Sequence, residues 1–137
     1  MVENNPRYPH RFSVYRPVKE NGKAVLDENG DPTYALLPLD KVAMANGWMV
    51  RDSDGQPVVE EQVESMPCGY RTNTRNLAEM GDVVSYNITL HCPPFLTPLF
   101  FDDIIEITDY DRTFRARVAK KVTFNWGSAV WYDEIMN

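Results

Sequence analysis

Residues 103–118 read DIIEITDYDRTFRARV, and this stretch contains two strand patterns joined by a turn. Ile105 and Ile107 alternate with polar residues, and the second run alternates arginine with three apolar residues: Phe114, Ala116 and Val118. Alternation with a period of two is typical of a β-strand that buries one face. The Asp109–Arg112 turn favours a hairpin, because Asp tolerates the left-handed backbone region. Residues 103–118 therefore predict two antiparallel strands.

Other stretches of the chain repeat this pattern. Apolar and polar residues alternate in 10–17 and 84–91, and a last strand is predicted in 128–135. Asn29-Gly30 predicts a tight hairpin turn, from which residues 33–39 return as a strand. Short strands separated by turns, without any long helical pattern, predict an all-β fold. We expect a small antiparallel β-barrel or sandwich with long loops and at most one short helix.

Residues 40–66 interrupt the alternation. Residues 43–48 are compatible with one short helical turn, for which Asp40 is an N-cap and Gly47 a stop signal. A segment of this length without a clear period is often a functional loop. We therefore expect a long loop excursion at 40–66 from a single domain that spans residues 1–137.

The composition narrows the functional class. The chain has 137 residues, with 14 Lys and Arg against 20 Asp and Glu, and a formal net charge of −6. An acidic balance argues against a protein that coats nucleic acid, because neutralising phosphates requires a basic surface. The first ten residues have no signal-peptide pattern, and no apolar run is long enough for a membrane helix. We expect no membrane partner.

The chemistry-bearing residues do not form a recognisable catalytic or metal motif. Neither histidine accompanies a nucleophile elbow, and no glycine-rich phosphate loop is present. His10, Cys68, His91 and Cys92 supply ligand atoms but lack the spacing of a zinc site. Both cysteines are therefore interpreted as buried thiols, with His91 on the solvent side. We expect a protein that is not an enzyme and needs no cofactor.

A cluster of basic residues follows the 109–112 turn. Arg115 and Arg117 lie on one face of the predicted strand, where they can meet a phosphate backbone or an acidic partner. The alternative is pairing with acidic residues of the neighbouring segment, because opposite charges across a hairpin are common. The candidates are Asp102, Asp103, Glu106, Asp109 and Asp111. Cross-strand pairing is the favoured interpretation. Arg115 and Arg117 remain candidates for a subunit-facing or DNA-facing surface.

Residues 93–101, PPFLTPLFF, form an apolar loop between two predicted strands. Exposed apolar loops mark contact sites, and prolines keep such a loop stiff, which reduces the entropy lost on docking. We therefore predict a partner interface formed by Phe95, Leu96, Leu99 and Phe100. In the alternative, Phe95, Leu99 and Phe100 fold back and fill the end of the barrel.

Several stretches resemble those of one known family. They are Gly81–Val84, Asp103–Ile107, Phe114–Val118 and Trp126–Ile135, together with an opening strand at Arg16-Pro17 and a turn at Gly30. These strands and turns resemble the head closure proteins of tailed bacteriophages, also called head–tail connector or neck proteins. The resemblance covers residues 66–137 and, more loosely, 10–35, whereas 40–65 have no counterpart.

The resemblance implies a small β-barrel that assembles as a homo-oligomeric ring beneath the portal and adaptor. Such a ring closes the head after DNA packaging and provides a platform for the tail. The implied partners are further copies of the chain, the portal or adaptor, and tail proteins, while DNA passes through the channel without sequence-specific binding. The implied location is the neck of the virion, after assembly in the host cytoplasm.

Two other functions fit the same patterns. A barrel that binds oligonucleotides would use Arg115 and Arg117 for charge and Tyr86 and Trp131 for base stacking. A second phage role, such as tail terminator or another tail-joining protein, has the same sequence requirements as head closure. Binding to a short single strand that weakens steeply with salt would favour the oligonucleotide hypothesis.

Overall fold

A computed structural model describes residues 8–73, 87–110 and 112–134. This part of the chain contains thirteen strands: β1 His10–Pro17, β2 Lys19–Glu20, β3 Lys23–Ala24, β4 Tyr34–Leu37, β5 Leu39–Val42, β6 Met44–Ala45, β7 Trp48–Met49, β8 Val59–Val63, β9 Met66–Asn73, β10 Asn87–Cys92, β11 Ile104–Asp109, β12 Arg112–Phe124 and β13 Gly127–Glu134. Within these ranges there is no helix, and so none that could cross a membrane. The predicted all-β fold is confirmed.

The main sheet has seven antiparallel strands and is nearly closed on itself. Its order is β11-β12-β13-β10-β9-β1-β4, and β1 also pairs with β11, so the order returns to its first strand. β11 and β12 form the hairpin predicted from residues 103–118, with Ile105 opposite Ala116. β1 lies on the other side of β11, with Val14 opposite Ile105. The register therefore places the alternating apolar residues on one face.

The core lies inside this sheet. Phe12, Val14, Ile105 and Ile107 are fully buried, as the period-two pattern predicts. The strand predicted at 84–91 corresponds to β10 in the structure. Residues 84–86 of that prediction lie outside the described ranges. β10 contributes three buried side chains to the core, those of Ile88, Leu90 and Cys92.

Residues 40–66 differ from the prediction of an irregular excursion. β5 pairs with β8, and β6 pairs with β7 in a small hairpin. Asn46 and Gly47 have φ angles of 54° and 83°, which are the left-handed values required at both central positions of a tight hairpin turn. The prediction of a helical turn at 43–48 is therefore wrong. The Asn-Gly pair specified a hairpin, as it does in many short β-ribbons.

One end of the sheet collects the long connections. Because neighbouring strands are antiparallel, β1 and β10 end where β11 and β13 begin. This end therefore carries the 93–103 connection, the 125–126 turn and the insertion that contains β5 to β8. We call it the loop end. The turn between β11 and β12, which contains Tyr110, lies at the opposite end.

Cys68 and Cys92 are free thiols in the core, which confirms their prediction as buried residues. Burial raises the pKa of Cys68 to about 12, from an ordinary value of 9.0. Burial also raises the pKa of Cys92 well above that value. Both thiols therefore remain protonated in the folded chain under conditions in which an exposed thiol ionises.

This difference predicts how stability depends on alkaline pH. Between pH 9 and pH 12 an unfolded Cys68 has lost its proton and the folded one retains it, so the free energy of unfolding falls as the pH rises. The expected contribution of Cys68 is about 1.4 kcal/mol per pH unit. Urea unfolding at rising pH above about 9 should show the free energy of unfolding of the wild type falling more steeply than that of Cys68→Ala. Parallel curves would contradict the assignment.

Candidate functional site

The apolar loop 93–101 is fastened to the barrel at its base. Lys121 Nζ donates hydrogen bonds to the carbonyl oxygens of Phe95 and Thr97, at 2.6 and 2.9 Å. The backbone N–H of Asp40 donates to Thr97 Oγ1 at 2.7 Å, which ties the loop to β5. These bonds satisfy polar groups of the loop and hold it in one conformation.

Lys121 is the central anchor of this loop. Its ammonium lies 4.2 Å from the centre of the Phe95 ring, a distance that gives a cation–π contact. Burial lowers the pKa of Lys121 to about 8, from 10.5, while the nearby Cys92 acts in the opposite direction. The amine is therefore mainly protonated near neutral pH, and its hydrogen bonds to the two carbonyls are charge-assisted.

A second anchor fixes the far end of the loop. Arg16 Nε and Nη2 donate to the two carboxylate oxygens of Asp103, at 2.9 and 2.8 Å. Asp103 is fully buried and also accepts a hydrogen bond from the Phe100 backbone N–H at 2.8 Å. Arg16 reaches the Pro98 carbonyl oxygen as well. The hydrogen bonds with Asp103 raise the pKa of Arg16.

The four residues predicted at a partner interface differ in their exposure to solvent. Phe95 is 0% exposed and belongs to the core, which corrects its assignment to an exposed interface. Leu96 is half-buried, and Leu99 is half-buried against the core. Phe100 is 57% exposed, and its neighbour Phe101, which was absent from the prediction, is 68% exposed. The fold-back alternative thus holds for Phe95 and Leu99, and a surface remains at Phe100 and Phe101.

A second exposed apolar surface lies at the same end of the barrel. Trp126 in the β12–β13 turn stacks on Phe124, with ring centres 5.5 Å apart, and meets Trp48 edge-on at 6.1 Å. Trp48 and Trp126 are each more than half exposed. We call Trp48, Phe124 and Trp126 the aromatic cluster.

The cluster is held by the hairpin that contains β6 and β7. The N–H of Met49 donates to the Asn125 carbonyl oxygen at 2.8 Å. Arg51 Nη2 donates to Asn125 Oδ1 at 2.7 Å and Nη1 to the Gly55 carbonyl oxygen at 2.8 Å. No local sequence pattern predicts this cluster, because its members are far apart in the chain. The local sign of an exposed aromatic surface is Trp126, which lies between Asn125 and Gly127 in a predicted turn.

The predicted basic surface is partly neutralised by its neighbours. Arg115 and Arg117 are both exposed on one face of β12. Arg115 Nε lies 3.1 Å from Glu106 Oε2 on β11, which is the cross-strand pair favoured by the sequence. Arg117 is opposite Ile104 on one side and Asp133 on the other. The pair with Glu106 leaves less net positive charge around Arg115 than the sequence cluster suggests.

The residues considered for metal binding are separated. Cys92 lies in the core, and the half-buried His91 lies on the other face of β10. His10 Nδ1 is 3.2 Å from Asp109 Oδ1, and the Tyr70 hydroxyl donates to the second oxygen of that carboxylate. Burial, together with this bond, raises the pKa of Tyr70, so the hydroxyl remains a donor. No group of three or more metal-ligating side chains occurs among the described residues.

The alternative oligonucleotide-binding surface includes residues whose side chains lie outside the described part of the structure. Tyr86 lies outside the described ranges. Trp131 is on β13 opposite Thr89, but its side chain is outside the described part of the structure. Residues 81–84, which contribute to the family resemblance, also lie outside it. The stacking surface of that hypothesis stays a prediction.

The barrel thus presents two fixed apolar surfaces at one end, the Phe100–Phe101 pair and the aromatic cluster. Exposed apolar side chains that are held in place are suited to contacts with other proteins. No family model, no curated protein and no solved structure matches this chain.

Proposed function

We propose that this chain is a structural virion protein of a bacteriophage neck. It forms a ring between the portal or adaptor and the tail, and this ring closes the head after DNA packaging. The observation that carries the proposal is the pair of exposed, anchored aromatic surfaces at the loop end of a small barrel. The resemblance of residues 66–137 to head closure proteins gives these surfaces their role.

The required chemistry is contact rather than catalysis. A ring that joins two larger assemblies needs stiff surfaces, because ordering a flexible loop on docking costs free energy. Lys121 and Asp103 provide that stiffness at the two ends of the 93–101 loop. The net charge of −6 suits a channel through which DNA must slide, because like charges repel. No cofactor is needed for this role.

The partners follow from the position of such a ring. Further copies of the chain form it, the portal or adaptor lies on one side, and tail proteins lie on the other. DNA passes through without sequence-specific contacts, which is consistent with the local pairing of Arg115 with Glu106. Assembly takes place in the host cytoplasm, and the final location is the neck of the virion.

A double substitution tests the proposal in the phage that encodes this chain. Phe100→Ser with Phe101→Ser should leave the fold intact, because both side chains are exposed, and should prevent the joining of heads to tails. Electron microscopy of lysates should then show separate tails and heads that lose DNA, and the plaque titre should fall by several orders of magnitude.

The matched control is Tyr110→Ser, which removes an exposed aromatic side chain from the opposite end of the barrel and should leave the titre unchanged. Tails of uncontrolled length on the double variant would instead identify a tail terminator. Normal particles containing the double variant would contradict the proposed function. Saturable, salt-sensitive binding of a short labelled strand to the purified wild type would favour the oligonucleotide-binding alternative.

A further inference from the structure

A groove crosses the outer face of β9, β10 and β13. Its volume is about 540 Å³, within the range of small-molecule sites. Its floor contains Gly127 and Ala129, and Trp126 and Phe124 form an aromatic wall at the loop end. A Cβ atom at Gly127 would lie 2.9 Å from the Cys92 carbonyl oxygen, so the close approach of the two strands requires glycine here, and the Tyr8 hydroxyl lies near the same point.

The groove is positive in an acidic protein. Arg71 lines it and is exposed, and none of the described residues that line it is a carboxylate. Burial lowers the pKa of the neighbouring His91, and Arg71 adds to this effect. His91 is therefore neutral near neutral pH, and Arg71 is the charged group that faces the groove. An occupant that combines aromatic side chains with a carboxylate would match this lining.

The chain itself presents such a segment. Phe100 and Phe101 are exposed, and the next residue, Asp102, is about half exposed. Asp102 has one weak ion pair, with Lys19 at 3.4 Å, and both side chains face solvent. An exposed pair of this kind is easily replaced by a stronger contact. We call residues 100–102 the aromatic knob.

The knob and the groove lie on different sides of the barrel. The knob is at the junction of β1 and β11, where Arg16 holds it. The groove centres on β10, which is separated from β11 by β12 and β13 and from β1 by β9. One copy therefore cannot place its own knob in its groove. Complementary surfaces on opposite sides of a subunit produce head-to-tail contacts, which close into rings when the rotation allows.

We infer that the knob, residues 100–102 of one copy, docks in the groove lined by Arg71 and Trp126 of a second copy. The phenylalanine rings contact the aromatic wall, and Asp102 pairs with Arg71 of the neighbouring copy. This inference rests on the proposed function, because it specifies how the ring is built. It goes beyond that proposal by naming the two surfaces and the charge pair between them.

A charge-swap experiment on the purified full-length chain tests the contact. Arg71→Glu and Asp102→Arg each place like charges in the interface, and each should weaken self-association by tenfold or more in analytical ultracentrifugation. An equimolar mixture of the two variants restores an opposite-charge pair at every contact, so it should assemble as the wild type does. Lys23→Glu, on the exposed β3, is the charge-reversal control and should not change assembly.

Trp126→Ala tests the apolar part of the same contact. Introduced into the otherwise wild-type chain, this substitution should weaken assembly. Introduced into both charge-swap variants, it should prevent their mixture from assembling, because the indole that packs against the phenylalanines is absent. Circular dichroism of each variant shows whether its fold is retained. A variant that has lost its fold is replaced by Arg71→Gln or Asp102→Asn, for which the same but smaller weakening is expected.

Three results would overturn the inference. They are a wild type that remains monomeric at all accessible concentrations, variants that assemble normally, and a mixture that is not rescued. Loss of oligonucleotide binding in Arg71→Glu without any loss of assembly would assign the groove to nucleic acid instead. The charge-swap mixture could assemble although the phage experiment shows that the chain is not a neck protein. That combination would support the contact and reject only the proposed function.

Discussion

Replacing Phe95 with alanine is expected to lower the free energy of unfolding by about 3–5 kcal/mol. The side chain is 0% exposed and packs against Phe12, with ring centres 6.1 Å apart. Its removal leaves a cavity in the core and removes the ring that lies beneath the Lys121 ammonium. Because a domain of this size is stable by only about 5–15 kcal/mol, this loss is a large part of the total. Urea unfolding followed by circular dichroism measures it directly.

The matched control is Phe100→Ala, which makes the same change five residues along the same loop. Phe100 is mostly exposed and contacts the Arg16 guanidinium at 4.6 Å from its ring centre. The expected loss of stability is below about 1 kcal/mol, because exposed cation–π contacts contribute little. Equal losses for the two variants would show that the loop does not divide into a buried base and an exposed end.

The second large effect is expected for Asp103→Ala, which should cost about 3–5 kcal/mol of stability. The carboxylate is buried and accepts hydrogen bonds from Arg16 and from the Phe100 backbone N–H. Its removal leaves a partly buried guanidinium and a backbone donor without their partner. Chemical unfolding of the purified variant at neutral pH gives the magnitude.

Asp102→Ala is the control for this change, because it removes the same group from the adjacent, exposed position. Its pair with Lys19 is solvated, so the expected loss is below about 1 kcal/mol. The double variant Arg16→Met, Asp103→Ala should be more stable than Asp103→Ala alone, because the unpaired cation is then absent. If Asp103→Ala and Asp102→Ala unfolded at the same urea concentration, the anchoring role of Asp103 would be rejected.

The two anchors connect stability with the proposed function. Lys121 and Asp103 hold the two ends of the same loop. The position of the exposed Phe100 and Phe101 therefore depends on both anchors. A conservative change at an anchor, such as Lys121→Met, should therefore weaken ring assembly more than its stability loss explains. In the proposed assembly, the anchors act by fixing the position of Phe100 and Phe101.

Local patterns were sufficient for the two strands of the 103–118 hairpin and for the charge pair between them. The alternation of Ile105, Ile107, Ala116 and Val118 predicts which face is buried, because successive side chains of a strand point to opposite sides. The pairing of Arg115 with Glu106 follows from the hairpin register alone. Asn46-Gly47 also carried a hairpin signal, although its short flanking strands hid it among residues 40–66.

Residue patterns therefore predict the all-β class, the 103–118 hairpin and the burial of both cysteines, since each depends on neighbours in the chain or on an intrinsic preference for the core. Which phenylalanine of the 93–101 loop is buried follows only from the tertiary structure, because Lys121 and Arg16, which hold the loop, come from two other strands. The tertiary structure also brought Trp48 beside Trp126, which lie far apart in the chain. Contacts between distant residues depend on the closure of the whole sheet, and no local pattern encodes that closure.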